Sequence, residues 1–177
     1  MMKKIINHDN KENKNSLLKI NFIMNSILTM SQFLFPLITF PYVSRILLPE
    51  GTGKVAFATS IIAYFAMFAQ LGIPTYGIRA CAKVRDSKEE LTKTVQELFL
   101  INITMSVSTY AVFVIALFFV PRLMEDKMLF LVVSFVILFN AIGMEWLFKG
   151  LEKYTYITVR SIIFKFIALI AMFFLIR

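Results

Sequence analysis

The sequence has few of the residues on which soluble enzymes depend. Charged residues make up only 17% of its 177 residues, against about 25% in an ordinary soluble domain. Polar residues that could act in catalysis are correspondingly scarce, which disfavours most enzyme classes. Cys81 is the only cysteine, so an intrachain disulfide is excluded. One cysteine and one histidine cannot form a zinc site of the usual His/Cys type, and we predict neither a metal nor a cofactor.

Apolar residues dominate what is present. Hydrophobic residues account for 58% of the chain, and phenylalanine alone occurs 19 times. A soluble fold of this size could not bury that many rings and still cover its surface with so few charges. Disorder is excluded for most of the chain by the same composition. The sequence therefore predicts a protein whose solvent is the lipid bilayer.

Five apolar runs are long enough to cross a membrane as helices, which takes about 20 residues each. The runs do not alternate between polar and apolar residues, as barrel strands would. We therefore predict an all-α, polytopic transmembrane helix bundle over residues 20–177. The five predicted spans are residues 20–42, 55–73, 98–120, 128–148 and 155–176.

Basic residues are unevenly distributed between the spans. Five lie in residues 1–19, five in the second loop and two in the fourth, against two each in the first and third loops. The positive-inside rule then places the N-terminus in the cytoplasm, with residues 1–19 as a mobile cytoplasmic tail. The net charge of +8 could also indicate nucleic-acid binding. The tail has no interleaved aromatic residues, so we expect membrane contact and no nucleic-acid partner.

Local signals predict where helices begin and end. Residues 45–54 contain one proline and two glycines, which favours a loop. Ser87 is in position to cap a short interfacial helix over residues 87–97. We expect Pro36 to break the first span. Trp146 is typical of a residue that anchors a helix end at the membrane interface, and a single amide, Asn102, is typical of a hydrogen bond between helices.

Three ionisable residues lie at membrane depth, where each is a functional candidate by default. Lys165 is near the middle of the fifth span. It could face a cavity, or an acid on another helix. Glu145 and Arg160 lie at similar depths on neighbouring spans and could form an ion pair that locks two helices, while Lys149 is a competing partner for Glu145. Glu145 could instead act as a proton carrier.

One face of the first span is polar. Asn25, Thr29 and Gln32 follow one another at spacings of four and three residues, which places them on one helical stripe. Such a stripe could supply hydrogen bonds between helices. It could equally form the wall of a polar cavity, and the sequence leaves both interpretations open.

Three segments together resemble a known family. They are residues 41–53 (PYVSRILLPEGTG), 72–83 (GIPTYGIRACAK) and 145–160 (EWLFKGLEKYTYITVR). Their order and their positions at span ends are similar to those of polysaccharide flippases of the multidrug/oligosaccharidyl-lipid/polysaccharide exporter superfamily. Two positions depart from the family pattern. Leu48 stands where the family commonly has glycine, which we expect to stiffen the first loop, and Ala80-Cys81 replaces an acid-apolar pair.

The resemblance implies transport, with no enzymatic step. The cargo would be an undecaprenyl-pyrophosphate-linked oligosaccharide repeat unit, moved across the cytoplasmic (inner) membrane for O-antigen, lipopolysaccharide or capsule biosynthesis. Family members have two six-helix lobes, so this chain would be an incomplete N-terminal lobe. The expected partners are the lipid-linked oligosaccharide, membrane lipids and other polysaccharide assembly proteins. The cations that would face the pyrophosphate are Arg45, Arg79, Arg160 and Lys165.

Other functions predict different residues. A multidrug or small-cation exporter of the same superfamily would need an acidic cavity, whereas cations outnumber acids at depth in this sequence. A glycosyltransferase or polymerase would need a metal-binding acidic pair or a large polar loop, and the sequence has neither. A non-catalytic structural membrane subunit would need no site.

Overall fold

The chain folds into α-helices joined by short connections. A computed structural model describes residues 2–175, and the side chains of residues 16–174. No strand occurs in this part of the chain, which confirms the predicted all-α class. The helices are α1 Met2–Gln70, α2 Ile73–Val84, α3 Lys88–Phe119, α4 Pro121–Met124, α5 Lys127–Gly143, α6 Glu145–Gly150 and α7 Tyr154–Leu175.

Four described helical stretches are long and apolar enough to cross a membrane, so the chain is a multi-pass membrane protein. The first of them takes in two predicted spans and part of the predicted tail, because α1 extends from Met2 to Gln70 with a single non-helical residue, Leu48, inside it. At 1.5 Å per residue this is about 100 Å of helix, more than three times the thickness of the hydrocarbon core. The stretches are Ser16–Val84, Lys88–Phe119, Lys127–Gly150 and Tyr154–Phe174.

The break inside α1 falls at Leu48. Its backbone dihedrals are φ 59° and ψ 172°, while the rest of α1, including Pro36, stays helical. The expectation of a break at Pro36 is therefore wrong, and the predicted loop over residues 45–54 is reduced to one non-helical residue. Leu48 adopts a conformation that only glycine adopts without strain. This chain thus meets the backbone requirement at residue 48 with a leucine, at a cost in strain.

The described residues form two compact units. The first combines residues up to Ile46 with those from Glu152 onward, and the second is Leu47–Leu151. In the first unit, α1 and α7 run parallel. The Thr158 hydroxyl donates to the Met24 carbonyl at 3.0 Å, and further along both helices the rings of Tyr42 and Phe173 lie 4.6 Å apart.

Parallel packing constrains the number of crossings. Two parallel spans cross the membrane in the same direction, so an odd number of crossings separates them. The five-span prediction places three between α7 and the start of α1. Within the second unit, the Lys54 ammonium lies 3.5 Å from the Asp126 carboxylate, so the first and third predicted loops meet at one end, as alternating crossings require. The count of five stays a prediction.

The second unit has its apolar core between α3, α5 and the end of α1. Phe113 and Phe130 are almost fully buried there, and the ring of Phe65 packs edge-on against Phe113. The Asn102 side chain is buried and donates to the Ala141 carbonyl at 3.3 Å. This bond joins α3 to α5, which confirms the prediction for Asn102.

Two short helices, α2 and α6, pack parallel to each other through glycines. A β-carbon at Gly77 would lie 2.7 Å from the indole of Trp146, and one at Gly150 would lie 2.9 Å from the β-carbon of Cys81. Trp146 is therefore enclosed within the protein, with only 4% of its surface exposed. The prediction that Trp146 anchors a helix end at the membrane interface is wrong, because its indole is buried against α2. These contacts bring together two of the segments on which the family resemblance rests.

The connections into these helices follow from their residues. Gly72 precedes α2 with φ 75°, a left-handed conformation that glycine adopts freely. Pro74 follows in the first turn of α2, where backbone N–H groups have no acceptor within the helix, so the missing N–H of proline costs no hydrogen bond. The Ser87 hydroxyl accepts from the Glu90 backbone N–H, which confirms the predicted cap. The helix that it caps continues as α3 for 32 residues, so the predicted short interfacial helix is the first part of a long one.

Gly77→Ala should destabilise the protein, because the added methyl group would overlap the indole of Trp146. Overpacking of this kind costs about 1–3 kcal/mol. Gly53→Ala is the matched control: nothing lies within 4 Å of its β-carbon position, and alanine should stabilise that helix by about 1 kcal/mol. Thermal unfolding in detergent, followed by the fluorescence of Trp146, measures both. Equal unfolding midpoints for the two variants would contradict the packing.

Leu48→Gly should raise the unfolding midpoint. Strained non-glycine conformations cost about 1–3 kcal/mol, and the Leu48 side chain is 63% exposed, so little packing is lost. Leu47→Gly is the control one residue earlier, where the backbone is helical and glycine should cost about 1 kcal/mol. If both glycine variants are destabilised, Leu48 is not strained.

Candidate functional site: a lysine between two parallel helices

Lys165 lies halfway along α7 and faces α1. It is 11 residues from the start of the helix, about 16 Å by the helical rise. Its ammonium donates to the hydroxyl of Ser31 at 2.7 Å, and that hydroxyl donates to the Leu28 carbonyl at 2.7 Å. Only 7% of Ser31 is exposed. Ser31 thus links the Lys165 ammonium to a backbone carbonyl of α1 through two consecutive hydrogen bonds.

The ring of Phe35 forms a second contact of the ammonium. The Lys165 nitrogen lies 5.6 Å from the ring centroid, within the range of a cation–π interaction. The ring is in turn held by Phe166, edge-on at 5.4 Å. Ser31 and Phe35 both come from α1, and the parallel packing of α1 and α7 brings them to the ammonium.

A groove of about 420 Å³ opens beside Lys165. Its walls are mainly apolar, with polar groups from Gln32, Thr39 and Lys165. Pro36 also lines the groove and has no N–H to donate to the carbonyl of Gln32, four residues earlier. Cationic, amide and hydroxyl groups thus meet in a small, mainly apolar space. This combination can bind an anion and can hydrogen-bond to hydroxyl groups.

The predicted polar stripe is only partly in this site. Asn25, Thr29 and Gln32 are all exposed on the outside of the described chain. The Thr29 hydroxyl donates to the Asn25 carbonyl of its own helix at 2.9 Å. Of the three residues, only Gln32 lines the groove. Both interpretations of the stripe therefore remain predictions.

The other predicted cations are dispersed. Arg160 is half-buried, with its guanidinium 5.9 Å from the centroid of the Tyr156 ring. Arg45 is exposed near the end of the first unit. Arg79 is exposed on α2, in the second unit. The roles of these three residues toward a cargo remain predictions.

Glu145 pairs with its competing partner. Its carboxylate lies 3.3 Å from the Lys149 ammonium, one turn along α6. The predicted Glu145–Arg160 pair would join the two units, and it remains a prediction together with the proton-carrier hypothesis. The residues that the structure describes contain no cluster of three His, Cys, Asp or Glu side chains that could hold a metal.

Ser31 and Phe35 were missed as site residues by the sequence analysis. Each is an ordinary residue for an apolar helix, and only the pairing of α1 with α7 gives them a role. The signal available in the sequence was their spacing of four residues, which places them on one face of α1. That face is distinct from the exposed stripe.

Helices of this length and apolarity, with a lysine held at mid-span, define a multi-pass, all-helical membrane protein. The chain belongs to the family described as polysaccharide biosynthesis protein, whose profile matches residues 18–177.

Two curated relatives are named as O-antigen transporters. One, from Escherichia coli (strain K12), is 32% identical over 148 residues, which are 82% of this chain and 35% of the relative. The other, from Shigella dysenteriae, is 25% identical over 162 residues, which are 90% of this chain and 40% of the relative. The chain thus spans between a third and two fifths of the length of these relatives. No solved structure matches it.

Ser31→Ala should destabilise the protein, because the ammonium loses its acceptor and the Leu28 carbonyl its second donor. Removing one partner of a buried bond to a charged group costs about 1–3 kcal/mol. Ser26→Ala is the control, since that hydroxyl bonds only to the Phe22 carbonyl of its own helix. The measurement is thermal unfolding in detergent. Indistinguishable midpoints for the two variants would show that the Lys165–Ser31 bond contributes nothing.

Proposed function

We propose that this chain acts in a flippase that moves undecaprenyl-pyrophosphate-linked oligosaccharide repeat units across the cytoplasmic membrane. Membership of the polysaccharide biosynthesis family and the names of the two relatives support export of a polysaccharide precursor. The N-terminus lies in the cytoplasm in this proposal, as the distribution of basic residues indicates. The lipid-linked oligosaccharide is the partner, alongside membrane lipids and other polysaccharide assembly proteins.

The observation that carries the proposal is the position of Lys165. A cation halfway along a membrane helix is costly unless a functional state uses it. A pyrophosphate entering an apolar groove loses its hydration, and an ammonium in the wall offsets that loss. Gln32 and Thr39 add hydrogen-bonding groups of the kind that sugar hydroxyls need.

The same groove argues against the main alternative. An exporter of drugs or small cations needs carboxylates in its cavity. The residues that line the groove beside Lys165 include no acid. In a structural subunit without cargo the lysine would only join α7 to α1, so the effect on transport of removing its charge distinguishes these hypotheses.

Lys165→Gln should lower the rate of flipping at least tenfold, because it removes the positive charge and keeps a donor for Ser31. This follows from the roughly 1.5–3 kcal/mol that a hydrogen bond to a charged group contributes. The assay is transfer of labelled lipid-linked sugar in proteoliposomes, with the change made in a chain as long as the curated relatives. Lys165→Arg keeps the charge and should retain more activity.

The control is Lys153→Gln, an exposed lysine next to the start of α7. It removes the same charge outside the groove and should leave flipping unchanged. Normal flipping by Lys165→Gln, at equal protein levels, would mean that the groove's cation does not serve the cargo.

A further inference from the structure

The exposed face of α2 has a composition that its packing does not explain. The opposite face is buried against α6 and neighbouring helices, with Ile73, Gly77 and Cys81 at intervals of four residues. The exposed face carries an aromatic residue and two cations at helical spacing, which we call the α2 stripe. The α2 stripe consists of Tyr76, Arg79 and Lys83.

The dimensions of α2 are compatible with a position at the membrane surface. Its 12 residues measure about 18 Å, too short for the hydrocarbon core of about 30 Å. Left-handed residues, Leu71 at φ 40° and Gly72 at φ 75°, separate it from α1. Exposed cations at hydrocarbon depth would be costly. A position in which the apolar face packs on the protein and the cations reach the polar headgroup region satisfies both constraints.

The two cations of the α2 stripe have no ion-pair partner among the residues that the structure describes. Arg79 and Lys83 are one turn apart, so they repel each other. Neither forms an ion pair or a hydrogen bond with any residue that the structure describes. By contrast, Lys93 on α3 has Glu89, Glu90 and Glu97 within one turn along its own helix.

We propose that the α2 stripe is a docking surface for the phosphate headgroups of anionic phospholipids. A guanidinium can bind a phosphate through two parallel hydrogen bonds, and an ammonium one turn away adds a second charge. Tyr76, 64% exposed, is of the type that settles at the headgroup level. Basic residues next to a membrane span favour an anionic leaflet over a neutral one. The proposal is independent of the cargo.

Thermal unfolding in mixed micelles tests the proposal directly. The probe is phosphatidylglycerol, compared with phosphatidylcholine at the same mole fraction. Trp146 is the only tryptophan of the chain and packs against Gly77 of α2, so its fluorescence follows the loss of α2 packing. Phosphatidylglycerol should raise the midpoint by a few degrees more than phosphatidylcholine, on the order of 3 °C. The difference should shrink in 0.5 M salt, roughly five times the concentration at which the screening length is 10 Å.

The variant R79Q/K83Q should lose this difference. The matched control K88Q/K93Q removes the same two charges from the start of α3 and should keep it. A charge-preserving variant, R79K/K83R, separates loss of charge from loss of fold, because it should still be stabilised by phosphatidylglycerol.

Two results would overturn the proposal. One is an unchanged preference for phosphatidylglycerol in R79Q/K83Q. The other is a wild-type protein that phosphatidylglycerol does not stabilise but inorganic pyrophosphate does, which would assign the α2 stripe to the head of a pyrophosphate-bearing cargo. Neither result depends on flipping by Lys165, so the docking proposal and the proposed transport function can fail separately.

Discussion

The hydrogen bond from Lys165 to Ser31 sets the central constraint on the first unit. A cation at mid-span has to be held by polar groups, and α1 offers a buried hydroxyl backed by its own backbone carbonyl. This bond fixes the register of α1 against α7, and the contacts on either side of it, from Thr158 to Met24 and from Tyr42 to Phe173, show that the two helices are parallel. The same register brings Phe35 beneath the ammonium and positions the groove next to it. The candidate site is therefore a consequence of how two distant helices pair.

In the second unit, two glycines determine how closely α2 and α6 pack. Gly77 accommodates the indole of Trp146, and Gly150 allows the close approach of Cys81. Because lipid offers apolar helices no hydrophobic reason to associate, close packing at small residues is a main source of cohesion in membranes. This contact explains the presence of some residues in segments 72–83 and 145–160, on which the family resemblance rests. Their glycines and tryptophan serve the fold, while Arg79, Lys83 and Lys153 are exposed.

Much of the fold could be predicted from the sequence, because length and apolarity alone identify membrane helices. The cap at Ser87 and the interhelical bond of Asn102 followed from local chemistry in the same way. The break at Leu48 could not be predicted, since leucine there signals a helix and Pro36 is the stronger local breaker. Lys165 was identifiable because any mid-span cation is conspicuous. Ser31 and Phe35 were not, because their role depends on Lys165, which lies 134 residues from Ser31 and on a different helix.

The junctions that precede α2 and α6 have a consequence for how these two helices are oriented. Left-handed residues interrupt the regular helix there, Leu71 and Gly72 before α2 and Met144 before α6. The axes of α2 and α6 are therefore not continuations of α1 and α5, and their directions are set by the glycine contacts between them and by packing on Leu98 of α3. Gly77 and Gly150 thus determine the direction of two helices as well as the closeness of their packing.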